Sequence, residues 1–408
     1  MSSIHDPFGL LSTEMHRSPY AIYARLRDEA PVHYAEAFDA FCVTRYADVA
    51  AAFRDPRLMA NRGGKFGVGL SDEQRAKLAP IARNLSSWAL FMDPPDHTRV
   101  RGLIMKAFTP RVIERLRGGI TQLATLLVDD AVANAKDDTI DVVPHLAAPL
   151  PVIVIGDLLG LPRDDRHRLK EWSDSLARFL GVGRPTMEIA ARAATGMVEM
   201  EAYFRDALDA RRRVPGEDLL SMLVAAEEGG VFLGEQEILS TCAMLLFGGH
   251  ETTTNLIANG LHALLSHPAE LELLRAKPDA IPNAIEELLR FESPVQRMGR
   301  VAKTDLEIAG VAIPAGSRVH LFMGAAHRDP DEFAEPDRLD VMRRDVRHLA
   351  FGLGPHFCVG AALGRMEAHA AFTELLRRFP RMARAYEEPA WSDNVTIRGL
   401  STLPVRIA

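Results

Sequence analysis

The chain is short of several things that define common protein classes. It has only three cysteines in 408 residues, Cys42, Cys242 and Cys358. They lie far apart with no CxxC pair, which excludes a disulfide framework and a cysteine-rich zinc site. Basic charge is not in excess: 48 Lys and Arg stand against 55 Asp and Glu, a net charge of -7. No global basic surface therefore exists for nucleic acid or an anionic membrane. The N-terminus, MSSIHDPFGLLSTEMHRSPY, lacks the basic-then-apolar pattern of a signal peptide. The most apolar stretch, LAAPLPVIVIGDLLG, carries two prolines and an aspartate and falls short of the roughly 20 residues that span a bilayer. Repeats and low-complexity linkers are missing too. The expectation is a non-membrane, cytoplasmic protein doing small-molecule chemistry, with residues 1–408 forming one domain.

What is present is helical periodicity. After mixed short elements in the first hundred residues (a helical YAIYARLRDEA, a hairpin in VHYAEAFDAFCVTRY, a helical ADVAAAFRDP, a glycine-rich NRGGKFGVGL), long amphipathic segments follow one another. They include PRVIERLRGGITQLATLLVDDAVANA and EQEILSTCAMLLFGGHETTTNLIANGLHALLSH. Strand patterning returns in LEIAGVAIPAGSRVHLFM. The fold class expected is mainly α (α+β), helix-rich with a minor β region.

One stretch stands apart: FGLGPHFCVG, residues 351–360, opening into the amphipathic run AALGRMEAHAAFTELLRRF. Gly352, Gly354 and Gly360 permit positive φ or close approach to a flat ligand. The free N–H groups and positive end of the following helix bias Cys358 toward thiolate. A thiolate serves as a nucleophile, with His356 as a nearby base, or as a metal ligand; the blander alternative is a buried structural thiol. A dinucleotide fingerprint fails because Phe357 stands where glycine is needed, and no Lys-Ser/Thr follows for a phosphate loop.

FGLGPHFCVG resembles the haem-binding signature F-G-x-G-x-H/R-x-C-x-G of the cytochrome P450 family at every defined position. The resemblance implies haem b held through Phe351, Gly352, His356, Cys358 and Gly360, with Cys358 as the axial iron ligand. Three further matches extend it along the chain. GGHET, Gly248 to Thr252, resembles the family's A/G-G-x-D/E-T, implying Glu251 and Thr252 as catalytic proton-relay residues. Two glycines in a helix interior weaken it by about 1 kcal/mol each relative to alanine, and a Thr252 hydroxyl bonded back to the Gly248 carbonyl would open a groove. Close helix packing is the equal alternative. A zinc-protease reading of His250-Glu251 fails because Thr254 stands where the second histidine belongs.

Glu287 and Arg290 match E-x-x-R. As an ordinary helix pair they are worth about 0.2–0.5 kcal/mol, whereas the resemblance implies a buried structural pair joined by Arg338. His97 and Arg101 sit one turn apart after Asp93, which can cap, and the prolines Pro94 and Pro95. They match the family's propionate clamp, with Arg300 and His356 at its other two positions. Any one of these cations alone reads as a surface charge.

By resemblance the activity is insertion of one atom of dioxygen into a hydrophobic small molecule such as a terpenoid, polyketide, fatty acid or steroid. The pocket is expected from Trp88, Leu90, Phe179, Met244, Phe247, Gly248, Val295 and Ile397, with a lid hinging at Gly181 and Gly183; each of the apolar positions also reads as plain core. No flavin or iron–sulfur segment is recognisable, so electrons are expected from a separate ferredoxin or flavodoxin. Its docking is expected on Arg111, Arg115, Arg117, Arg343, Arg344 and Arg347, and the enzyme is expected to be a monomer. Two alternatives are peroxide-driven or non-hydroxylating haem-thiolate oxidation, which the Glu251–Thr252 pair disfavours, and a haem-based sensor, for which no signalling segment is recognisable.

Overall fold

In a computed structural model, residues 5–61, 71–181, 186–228 and 230–408 are described. Most of the glycine-rich stretch NRGGKFGVGL and the hinge candidate Gly183 lie outside them. Helices dominate, as the periodicity predicts. The 32-residue helix Glu235–Ser266 is the axis of the assembly, with 22 of its residues buried. A helix buried on nearly all sides must be apolar all round, and this one carries only Glu235, Glu237 and Glu251 as formal charges. It packs against helices Pro149–Leu158, Arg166–Gly181, Met187–Arg213, Ile281–Phe291 and Ala361–Arg378. The apolar run around Pro149 is thus a core helix. No helix among the described residues is long and apolar enough to cross a membrane.

The β portion sits to one side. Its main sheet runs Val32–Ala35, Ala40–Val43, Arg318–Leu321, Met298–Ala302 and Leu58–Met59 in spatial order. The expected hairpin is there, with Val32 opposite Val43, and strand Arg318–Leu321 joins it in parallel. The register of Val319 opposite Arg300 fixes Arg300 in the middle of a central strand.

Glu287 and Arg290 form the buried pair, both side chains fully out of solvent, with two Arg290 nitrogens at 2.7 Å from the two Glu287 oxygens. The joining arginine differs from the expectation. Arg343 donates its Nε to Glu287 at 3.1 Å and is largely buried, whereas the Arg338 side chain is more than half exposed and pairs with Glu335. Arg338 contributes its backbone carbonyl, which accepts from Arg290 and Arg343. The chain turns back at Asp340, whose N–H also donates to Glu287, and this turn brings the later arginine over the carboxylate.

Removing one partner of a buried ion pair leaves the other charge unpaired. Glu287→Ala, which strands Arg290 and Arg343 together, is expected to cost about 3–5 kcal/mol in chemical denaturation. A loss below about 1 kcal/mol would assign the network no structural weight.

Candidate functional site

The cysteine loop is built by backbone constraint. Gly352 and Gly354 take φ of +68° and +69°, values that side chains with a Cβ rarely adopt. At Gly354 a Cβ would also stand 3.3 Å from the Phe53 carbonyl oxygen. The Cys358 N–H donates to the Phe351 carbonyl at 2.9 Å, closing the loop. The following helix begins at Ala361 with Gly360 as its cap. Below the loop, Arg365 lies over the Phe351 ring at 4.4 Å and makes two 2.7 Å bonds to Glu286, which ties the loop to helix Ile281–Phe291.

Of the three cysteines, only Cys358 has open surface, and that surface faces an internal cavity of about 400 Å³ set deep in the protein instead of the outer surface. The sulfur is not made anionic by the helix terminus alone. Burial raises the thiol pKa, opposed by the Gly360 N–H and by the Arg101 and Arg365 guanidiniums. The chain itself therefore offers a desolvated sulfur with one N–H and two cations around it, a donor suited to a cationic metal.

His97, Arg101, Arg300 and His356, spread along the sequence, meet at this cavity. The His97 and His356 rings lie 4.1 Å apart, and Arg101, Arg300 and His356 line the cavity wall. Arg101 donates to the Phe357 carbonyl at 2.5 Å, and Arg300 has a backbone acceptor in Gly299. Among the described residues none of the four makes an ion pair with a carboxylate, and His97 Nε2 is buried with no partner. Burial lowers Arg300 to about 10, and burial together with the neighbouring cations lowers His356 to about 3. Asp93 does not cap the next helix; its carboxylate accepts from the N–H groups of Ala60 and Asn61. Asp93 offsets part of the charge at His97 and Arg300 without pairing to either, and the rest of this cluster of cations and imidazoles fits a ligand that brings two carboxylates, as the haem propionates do.

The central helix supplies the cavity's polar feature. Thr252 Oγ donates to the Gly248 carbonyl at 2.7 Å, as the sequence predicts, yet the helix stays α-helical throughout rather than opening. The groove comes from missing side-chain volume. A Cβ at Gly248 would meet nothing within 4 Å, while one at Gly249 would touch Ile155 at 3.5 Å. The two glycines thus split the two readings, Gly248 clearing cavity space and Gly249 serving helix contact.

Glu251 does not line the cavity; it is turned toward Asp174 on helix Arg166–Gly181. Burial and the Asp174 charge push its carboxyl up to about 7, opposed by the Lys170 charge. Of the expected pocket residues, Leu90, Met244, Phe247, Gly248, Val295 and Ile397 line the cavity. Trp88 and Phe179 do not. Trp88 is fully buried behind it, stacked on Phe91 and bonded to Asn84, because its indole N–H finds its acceptor there. Phe179 is packed in the core, and its neighbour Leu180 lines the cavity instead. Gly181 ends its helix against Asn394, where a Cβ would come within 1.9 Å, so close approach requires that glycine.

Two ionisable cavity residues were not among the individually named pocket positions. Glu367 is buried, lines the cavity beside Thr253 and is pushed up to about 8 by burial. Its signal was legible as an acid on the apolar face of AALGRMEAHAAF, one turn after Leu363. Arg297, two residues after Val295 in a segment whose contribution to the pocket was expected, also lines the cavity and lies 4.1 Å over the Phe38 ring.

The chain matches the family model described as Cytochrome P450 over residues 70–389. It is 38% identical to the polyketide biosynthesis cytochrome P450 PksS of Bacillus subtilis, over 97% of this chain and 97% of that protein. It is 40% identical to the cytochrome P450 monooxygenase PikC of Streptomyces venezuelae, covering 98% and 93%. Among solved structures it superposes on P450BioI in complex with an acyl carrier protein carrying hexadec-9Z-enoic acid, with a TM-score of 0.89, 35% identity and coverage of 98% and 100%.

The raised Glu367 carboxyl has a sign that can be checked. Its pKa rises from an ordinary 4.5 to about 8, so between those values the unfolded chain has released a proton the folded chain keeps. Stability from this group is present at pH 4 and falls as pH rises toward 8, by on the order of a few kcal/mol. Glu367→Gln should flatten that slope in thermal unfolding of the haem-loaded protein; parallel slopes for the two proteins would contradict the assignment.

Proposed function

The chain belongs to the cytochrome P450 family, and on that footing we propose that it oxidises an apolar substrate of polyketide, fatty-acid, terpenoid or steroid type, with electrons from a separate ferredoxin-type protein. It is an oxidoreductase of the monooxygenase class, and its cofactor is haem b. The observation that carries the reading is that the Cys358 sulfur and the Thr252 groove share one cavity whose other walls are largely apolar.

Cys358 would hold the iron, and His97, Arg101, Arg300 and His356 would hold the propionates. Haem bound there supplies dioxygen activation and the oxidant that delivers one oxygen atom to substrate. The chain's own residues do the rest. Leu90, Phe247, Val295 and Ile397 exclude water and orient an apolar substrate. Thr252, through its hydroxyl in the groove, holds a proton donor position inside the cavity, and Glu251 carries protons to it from the Asp174 side, where that carboxylate is 42% exposed. A carboxyl near neutrality suits both taking up and releasing a proton.

The names of the relatives are consistent with extended acyl or polyketide chains. For the electron donor, Arg111, Arg115, Arg344 and Arg347 are exposed and free to steer an acidic partner. Arg343 is committed to Glu287, and Arg117 pairs with Glu114. The protein is taken to act in the cytoplasm as a monomer.

Two variants test the reading. Cys358→Ser should abolish the long-wavelength Soret band of the reduced carbon monoxide complex; its persistence would remove Cys358 as the ligand. Thr252→Ala should still consume reductant, with product per reductant falling about ten-fold or more and hydrogen peroxide rising. Unchanged coupling would remove Thr252 from proton delivery.

A further inference from the structure

Beside the cavity lies a second cluster, in which the haem chemistry gives no role to His250. Asp174 on helix Arg166–Gly181 faces His250 and Glu251 on the central helix, and their ligand-type atoms all lie within 4.8 Å of one another. His250 is 1% exposed, and both of its ring nitrogens are buried without a hydrogen-bond partner. An imidazole left in that state has lost the bonds it had in water and gained none in exchange. His250 Nδ1 points at Asp174 Oδ1, 3.8 Å away, too long for a hydrogen bond. The other Asp174 oxygen accepts from Lys170, so Oδ1 is the one turned inward.

We propose that Asp174, His250 and Glu251 form a binding site for a divalent cation of the zinc class, bridging the two helices and occupying the carboxylate that feeds protons to the cavity. One imidazole and two carboxylates make a borderline donor set suited to zinc, and a water can complete four-coordination. Zinc at about 2.0–2.1 Å from each ligand needs them roughly 3.3 Å apart, so the 3.8 Å pair closes by about half an ångström and a separation near the 4.8 Å limit by about three times that, within reach of side-chain rotation. Asp174 is 42% exposed, which gives the ion a route in from solvent, while His250 lies on the buried side. The two carboxylates balance the ion's charge, and Lys170 next to Asp174 limits affinity, making the site reversible. The bound ion would hold Glu251 away from proton transfer. That consequence rests on the relay reading; the site itself does not.

The test uses haem-loaded full-length protein and zinc chloride alone. Calorimetric titration should show one zinc per chain, weakened roughly ten-fold or more by Asp174→Asn and by His250→Gln. The buried histidine variant must keep its carbon monoxide spectrum to count, and Asp174→Asn, at a half-exposed position, tests the site without it. Zinc-edge X-ray absorption should show nitrogen and oxygen neighbours with a single imidazole. Absence of one-to-one binding overturns the proposal, as do equal affinities in wild type and Asp174→Asn, or sulfur in the zinc shell. If zinc binds as described and lowers product per reductant, both readings stand. If it binds as described and coupling is unchanged, the site stands and the Glu251 relay falls.

Discussion

Four cationic or protonatable side chains, His97, Arg101, Arg300 and His356, meet at one cavity with no carboxylate paired to them among the described residues. A folded chain does not gather and desolvate positive groups without compensation, because burial of unpaired charge is among the most costly things it can do. Much of the rest can be understood as support for this arrangement until a dianionic ligand completes it. The central strand that carries Arg300 is held between two neighbours, and the loop that carries His356 is held by glycine geometry and by Arg365 on Glu286.

The same logic explains the buried Glu287–Arg290–Arg343 network. It has its charges paired at bonding distance, the opposite of the cavity cluster. Structural charge is satisfied internally, whereas functional charge is left open. Glu251, Glu367 and His250 fall between these cases. Burial keeps each near or in its neutral form, which lets a carboxyl exchange protons and an imidazole keep one ring nitrogen with a free lone pair.

Much of the site was legible because the chemistry demands particular residue types at short spacing. The cysteine loop, GGHET, E-x-x-R and H-x-x-x-R are each confined to one turn or one helix, where spacing along the chain is spacing in space. Reading failed where position depends on how separate segments cross. Arg338 and Arg343 lie five positions apart on one irregular stretch, and only the turn at Asp340 decides which of them reaches Glu287. Trp88 and Phe179 are apolar residues near the cavity, but which way a side chain faces at a helix end follows from its packing partners.

By itself, then, the sequence determined the helix-rich class and the family, and it singled out the candidate sulfur ligand, hydroxyl–carboxyl pair and cations, since each of these patterns is set by local backbone geometry and residue chemistry. The tertiary structure decided what those groups face. It gave Gly248 to the cavity and Gly249 to Ile155, turned Glu251 toward Asp174 instead of the cavity, and left His250 buried without a partner beside two carboxylates. Those outcomes depend on contacts between helices far apart in the chain, and no pattern within a single helix encodes the neighbour it will meet.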